Sequence, residues 1–256
     1  SLADTKEWLE ASAQFGPLVK PIITPRFVPS CTSELMSGLG NLAEAYNVPV
    51  QSHLSENHGE IEWVAALHPE AANYTDVYYE HHLMGKVPTV MAHCIHLSDV
   101  EMDRMAETQT MVSHCPYSNV NLSSGIAPIR KLFERKIPIG LGSDISGGHI
   151  VSMAKVLTEA IGLSKMKWVE VDQTYAPLTL SEAFYMATKG GGKFFGKVGS
   201  FEKGCELDAL VIDDTTLFDP NERSLEERLE RWLYVGDDRH IIERYVAGKV
   251  APEPTN

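Results

Sequence analysis

Val48, Pro49, Val50, Gln51, Ser52, His53, Leu54, Ser55 and Glu56 form the stretch on which the fold turns. It opens as a short apolar, β-branched run. It closes in His53, Ser55 and Glu56, three groups able to ligate a metal or move protons. Before it, Leu35, Leu39, Leu42, Ala43 and Tyr46 recur at helical spacing; after it, Ile61, Val64, Ala65 and Leu67 do the same. Helix, buried strand and helix make a βα unit with polar groups where the strand stops. In parallel sheets that is where chemistry is placed.

Working outward, the same pattern recurs. Residues 19–27 read as a strand ending in Arg26, weakened as a central strand by Pro21 and Pro25. Residues 87–93 read as a strand ending in His93. Ser98, Asp99, Val100 and Glu101 have the S-x-x-E pattern of a capping box and open a helix. Residues 110–114 make a short strand ending in His114, and residues 137–144 one ending in Asp144. A long amphipathic segment follows over residues 152–167. A second capping box, Thr179 to Glu182, opens a helix that runs into Gly190, Gly191 and Gly192. No Lys-Ser or Lys-Thr follows these glycines, so they read as a helix end and a tight packing site rather than a phosphate loop. From Gly199 the pattern changes: residues 208–213 and 245–250 read as strands with turn chemistry between them. The chain thus divides into residues 1–198, a βα-repeating portion, and residues 199–256, a small β appendage.

Composition narrows the function. The chain has 256 residues, 43% of them hydrophobic, with a net charge of −13. No run of Lys and Arg occurs, so neither a nucleic-acid backbone nor an anionic membrane surface is an expected partner. Cys31, Cys94, Cys115 and Cys205 are scattered without a C-x-x-C pair, which reads as reduced thiols in the cytoplasm. Asp4, Lys6, Glu7 and Glu10 make the first residues unlike a signal peptide. No apolar run reaches the roughly 18 residues that span a bilayer.

All five strand ends carry a titratable group: Arg26, His53 with Glu56, His93, His114 and Asp144. Parallel strands point one way, so these ends converge on one face. His53 can supply an imidazole nitrogen and Asp144 a carboxylate oxygen, donors that suit zinc or, less specifically, iron. Glu56, three residues beyond His53, can act as general acid and base beside a metal-activated water. His93 can steady that water or a developing oxyanion. His114 reads as a brace for its own loop, and His81, His82 and His96 as surface or loop residues. Asp237, Asp238 and Arg239 read as fixing a turn.

The succession His-Leu-Ser-Glu at residues 53–56, Met-Ala-His at 91–93 and Gly-Ser-Asp at 142–144 resembles the amidohydrolase superfamily. Thr24-Pro25-Arg26-Phe27, residues 114–119, Ser123-Ser124-Gly125 and residues 233–239 point within it to the guanine deaminases. The resemblance covers nearly the whole chain. It implies a (β/α)8 TIM-barrel-type α/β fold, here about the fourth to eighth strands. It also implies that residues 199–256 supply C-terminal strands of a small composite β-sandwich. His53 and Asp144 would be ligands to one Zn(2+) and Glu56 the proton shuttle. His93 would contact the activated water, and Asp144 would take a proton from it. Arg26 would hold a purine carbonyl oxygen, with Phe27, His53, Glu56 and Asp144 also facing the substrate. The expected partner is guanine, converted to xanthine and ammonia, in an enzyme that is a homodimer at full length.

One departure stands out. The family's metal site also draws on a His-x-His pair at the end of the first barrel strand, and none of the 256 residues forms one. The chain therefore reads as the C-terminal part of such an enzyme. Two other readings stay open: another ring deaminase or chlorohydrolase of the superfamily, and a catalytically silent chain that keeps the fold without its metal.

Overall fold

The structure, a computed structural model, describes residues 1–252. The chain divides into two compact units, residues 1–114 with 127–138, and residues 115–126 with 139 onward.

The first unit opens with helix α1 (Leu2–Ser12), a single 3-10 turn at Val28–Ser30 and helix α2 (Ser33–Tyr46). Strand β1 (Val50–Leu54) follows, then α3 (His58–Leu67), α4 (Tyr74–Glu80), β2 (Thr89–His93), α5 (Asp99–Glu107) and β3 (Met111–His114). The chain leaves this unit for α6 (Pro116–Asn121) and returns for α7 (Ile129–Glu134). β1 pairs with β2 and β2 with β3, all parallel, with Val50 opposite Thr89 and Leu54 opposite His93. The α/β class read from the sequence is what the unit shows.

Residues 19–27 do not form the expected strand. Only Ile23 pairs, as a single parallel bridge to Val50, donating its N–H to Pro49 O and accepting from Gln51 N–H at 2.9 Å each. Pro21 and Pro25, two residues to either side, have no N–H to extend the ladder. Elsewhere local chemistry sets the boundaries. Asn57 caps α3 through Glu60 N–H, and Asn73 caps α4 through Asp76 N–H. At α5 the expected capping box forms, with Ser98 N–H on Glu101 Oε2 at 2.9 Å and Glu101 N–H on Ser98 Oγ at 3.3 Å. Such caps contribute about 1 kcal/mol each. The core gathers Met36 from α2, Leu54 and Met91 from the sheet, Tyr78 from α4 and Met105 from α5, all with essentially no exposure.

The second unit continues from α6 with β4 (Ile139–Leu141), the long helix α8 (Met153–Glu170) and α9 (Leu180–Tyr185), whose Thr179–Glu182 capping box is formed as expected. α9 runs directly into a π turn, Met186–Gly190, whose C-cap is Gly191, so the helix ends within the glycine run as expected. The tight packing holds too: a Cβ on Gly190 would lie 2.8 Å from Ile139 O. β5 (Ala209–Ile212), β6 (Ile241–Val246) and β7 (Lys249–Val250) form an antiparallel sheet in that order. Between β5 and β6 lies a helix absent from the sequence reading, α10 (Leu225–Val235), capped by Ser224 and Glu227. Asp237 fixes the turn after it, accepting from Arg239 Nη2 at 2.6 Å. Among the described residues no cysteine forms a disulfide. Among the described residues no helix is long and apolar enough to cross a membrane.

Candidate functional site

In the first unit the parallel strands β1, β2 and β3 end at Leu54, His93 and His114. Alternation along β1 sends Leu54 into the core and leaves His53 half-buried on the other face. The His53 and His93 rings stack at 5.3 Å between centroids. His93, almost fully buried, brings Nε2 to 3.7 Å from Glu56 Oε2. The sequence reading paired these three residues by their strand ends, and the structure places them side by side.

His53 Nδ1 lies 2.5 Å from the main-chain oxygen of Arg26. A carbonyl only accepts, so Nδ1 is the donor here, and in the neutral imidazole the lone pair lies on Nε2. Arg26 itself extends an exposed side chain, with its guanidinium carbon 5.6 Å from the centre of the Phe27 ring. Phe27 in turn meets the edge of Trp63 at 6.1 Å. Trp63 was not singled out in the sequence, where it reads only as one position on α3.

His114 is fully enclosed, and burial, helped by the neighbouring His93 charge, pushes its pKa down to about 3. Its Nδ1 has no hydrogen-bond partner among the described residues, and burial keeps the ring neutral. His81 is half-buried and meets Ser37 Oγ at 2.8 Å, while His96 packs against His58 with ring centroids 4.0 Å apart.

The turns leaving the strands are left-handed at residues that carry side chains. φ is +49° at Ser55, +70° at His93 and +51° at Cys94. L-residues meet a cost of roughly 1–2 kcal/mol in this region. Main-chain bonds hold the turns together: Cys94 N–H donates to Leu54 O at 3.0 Å, and Ile95 and His96 N–H both donate to Ser55 O at 3.1 Å.

Behind the turns lies a buried polar layer that sequence reasoning missed. Glu56 N–H donates to Glu60 Oε2 at 2.8 Å, and Tyr74 OH donates to Glu60 Oε1 at 2.7 Å. Tyr78 OH donates to His53 O at 2.8 Å and meets Ser52 Oγ at 2.7 Å. Ser52 Oγ donates to Pro25 O at 2.7 Å. These partners lie up to 27 positions apart, beyond the reach of local periodicity.

Asp144 belongs to the second unit, on the loop that follows β4, and it too is left-handed at φ +44°. Gly148 N–H donates to Asp144 O at 2.6 Å, and Asn121 Nδ2 donates to Gly147 O at 2.7 Å. A Cβ on Gly147 would sit 2.6 Å from both Asp144 Oδ2 and Ser118 Oγ, so only glycine leaves that carboxylate where it is. Among the described residues no group of three or more His, Cys, Asp and Glu side chains is arranged to hold a metal ion.

Comparison with known proteins gives a consistent result. The Amidohydrolase family profile matches residues 4–251. The chain is 43% identical over 97% of its length to a guanine deaminase of Dictyostelium discoideum, covering 56% of that protein. It is similar to the crystal structure of a guanine deaminase from C. acetobutylicum with bound guanine in the active site: TM-score 0.94, 53% identity, covering 97% of this chain and 59% of that one. The E. coli guanine deaminase structure matches with a TM-score of 0.88 at 35% identity, covering 100% of this chain and 61% of that one. The chain thus spans between half and two thirds of the length of these relatives.

Proposed function

Because the chain belongs to the amidohydrolase family, we propose that its chemistry is the hydrolytic deamination of guanine to xanthine and ammonia. The observation that carries this reading is the cluster of His53, His93 and Glu56 at the ends of β1 and β2, with His53 anchored on the main chain of Arg26. The likeness to a guanine deaminase whose structure holds guanine supplies the substrate.

The donor chemistry fits a divalent ion. His53 has Nδ1 engaged, which leaves Nε2 free to ligate, and Asp144 offers a carboxylate oxygen. His53 and Asp144 would hold zinc, or iron, and such an ion when bound lowers the pKa of water toward ~7. Arg26 orients the purine by donating to its carbonyl oxygen, a task its fixed donor fork suits better than Lys. Phe27 lines the pocket. His93 steadies the attacking water and Asp144 accepts a proton from it. Glu56 carries a proton to the ring nitrogen beside C2, which makes C2 more electrophilic. The water oxygen bonds to C2 and the bond from C2 to the amino nitrogen breaks. One water proton ends on the ring, and the other leaves with ammonia.

The same proposal takes residues 1–198 as the fourth to eighth strands of a barrel and residues 199–256 as part of a β-sandwich, for which the antiparallel β5–β6–β7 sheet is the support. It also carries the expectation of a cytoplasmic homodimer, which sedimentation of the full-length protein and cell fractionation check. The activity is tested by ammonia release from guanine, adenine and cytosine in that full-length context. Release from guanine alone is the expected result; release from adenine at a matching rate would move the chain to another branch of the family.

A further inference from the structure

The buried layer behind the strand ends ties together three main-chain points of the candidate site. Glu60 is 7% exposed, Ser52 4%, Tyr74 3% and Tyr78 fully buried. Glu60 divides its carboxylate: one oxygen takes the N–H of Glu56, the other the hydroxyl of Tyr74. The Tyr74 and Tyr78 rings lie nearly parallel, 5.6 Å apart. Tyr78 and Ser52 share two hydroxyl protons among the His53 carbonyl, the Pro25 carbonyl and their own 2.7 Å contact. Two proton arrangements satisfy this set. In one, Ser52 donates to Tyr78 and Tyr78 to His53 O; in the other, Tyr78 donates to Ser52 and Ser52 to Pro25 O. In the first the pair ties α4 to the His53 carbonyl; in the second it ties β1 to the segment carrying Arg26, whose carbonyl receives His53 Nδ1. Burial raises the pKa of both tyrosines, so both hydroxyls keep their protons across the working range.

We propose that Tyr78 and Glu60 are positioning residues for the deamination: Tyr78 fixes the His53 imidazole through its backbone and that of Pro25 and Arg26, and Glu60 fixes the backbone of Glu56. This rests on the reaction assigned above. Neither residue touches substrate. A buried hydroxyl with no other acceptor nearby would serve stability alone, but these two residues act on the main chain at the positions of the metal donor and the proton carrier. Removing the Tyr78 hydroxyl leaves the ring packing intact and takes away the donor to His53 O and the partner of Ser52 Oγ. An amide at position 60 has one oxygen where two donors need acceptors.

The test uses the full-length protein and the variants Tyr78→Phe, Glu60→Gln and Thr75→Val. Thr75 is equally buried and its hydroxyl donates to Glu101, so its loss destabilises the same unit away from the site. Two readouts are taken beside the thermal midpoint. The first is kcat and KM for guanine; the second is the nitrogen-15 shift of the His53 imidazole, which reports its tautomer without reference to any reaction. Tyr78→Phe is expected to lower kcat roughly tenfold with KM within about twofold, and to move the His53 Nδ1 signal as its hydrogen bond to Arg26 O loosens. Glu60→Gln is expected to lower kcat by a similar factor with the His53 signal unchanged. Thr75→Val is expected to lower the midpoint and leave kcat alone. If Tyr78→Phe leaves both kcat and the His53 signal as in the parent, or if Thr75→Val loses as much kcat for the same loss of midpoint, the positioning role is overturned. If the parent itself releases no ammonia from guanine, the assigned reaction fails, and the His53 signal alone decides whether Tyr78 holds the imidazole.

Discussion

His53 and His93 sit one register step apart on neighbouring parallel strands, and their rings stack at 5.3 Å with planes 23° apart. In that register Leu54, not His53, is the partner of His93. The imidazole that offers Nε2 is thus backed by a second imidazole that reaches Glu56. The proposed acid–base group and the proposed metal donor are held at one end of the sheet, and the predictions below follow from that placement.

The proposed mechanism makes Glu56, which lies beside His93, a proton carrier and not a metal donor. Glu56→Gln in the full-length protein is expected to lose turnover by about 10²–10⁴-fold. Its metal content, measured by atomic emission, is expected to match the parent. Loss of metal along with turnover would make Glu56 a ligand and end the assigned mechanism.

Arg26 extends from a segment anchored by the Ile23 bridge and by His53. Arg26→Lys removes the donor fork and leaves the charge. Losing a charged hydrogen bond to the purine carbonyl costs about 1.5–3 kcal/mol, or roughly 10- to 150-fold in kcat/KM for guanine. Steady-state kinetics showing an unchanged kcat/KM would take Arg26 out of the pocket.

Gly147 leaves room for the Asp144 carboxylate. Gly147→Ala places a methyl group 2.6 Å from Asp144 Oδ2 and from Ser118 Oγ, and one of the two must move. Weaker zinc retention and lower turnover are expected, with a smaller loss for Gly147→Ala in a Ser118→Ala background, where the hydroxyl no longer competes for space. Equal zinc retention in the parent and the single variant would show that Asp144 does not depend on this gap.

The 256 residues expressed by themselves present two of the proposed donors, His53 and Asp144. Zinc sites in enzymes normally have at least three protein ligands. Well under one zinc per chain is expected after gel filtration, with no ammonia from guanine. Stoichiometric zinc with turnover would require donors beyond these two.

His114 sets a pH dependence of stability. Its pKa is lowered by burial from 6.5 to about 3, so below pH 6.5 the unfolded chain binds a proton that the folded chain does not. The stabilisation is complete above pH 6.5 and is lost as pH falls toward 3, at about 1.4 kcal/mol per pH unit from this one group. His114→Phe is expected to flatten the fall, read from urea midpoints between pH 4.5 and 7. An unchanged slope would mean that His114 is charged when folded.

Sequence alone disclosed what depends on neighbours a few residues apart. The capping boxes at Ser98 and Thr179, the β1 strand with His53 at its end, and the helices flanking it are all local patterns. Helix α10 was legible too, since Ser224 and Glu227 have the spacing of the other boxes, but acidic residues around it masked the apolar stripe. Residues 19–27 carry an apolar run that favours a strand, but the two prolines interrupt its N–H row and leave the single Ile23 bridge. Tyr78 and Glu60 stayed hidden for a different reason. A tyrosine and a glutamate on helices look like any half-polar positions until tertiary contacts bring them against Ser52 and the Glu56 amide.

The left-handed turns at Ser55, His93, Cys94 and Asp144 set resistance to heat against turnover at known codons. Glycine at any of them would relax the backbone, by somewhat less than the roughly 1–2 kcal/mol quoted for L-residues, because glycine also frees the unfolded chain. A library of the full-length protein screened only for survival at high temperature should therefore enrich glycine at position 144, which is half-buried, and discard a carboxylate, whereas at buried His93 the cavity left by the ring outweighs the relief. Screened for ammonia release instead, the same library should keep Asp144 and seek its stabilising changes elsewhere.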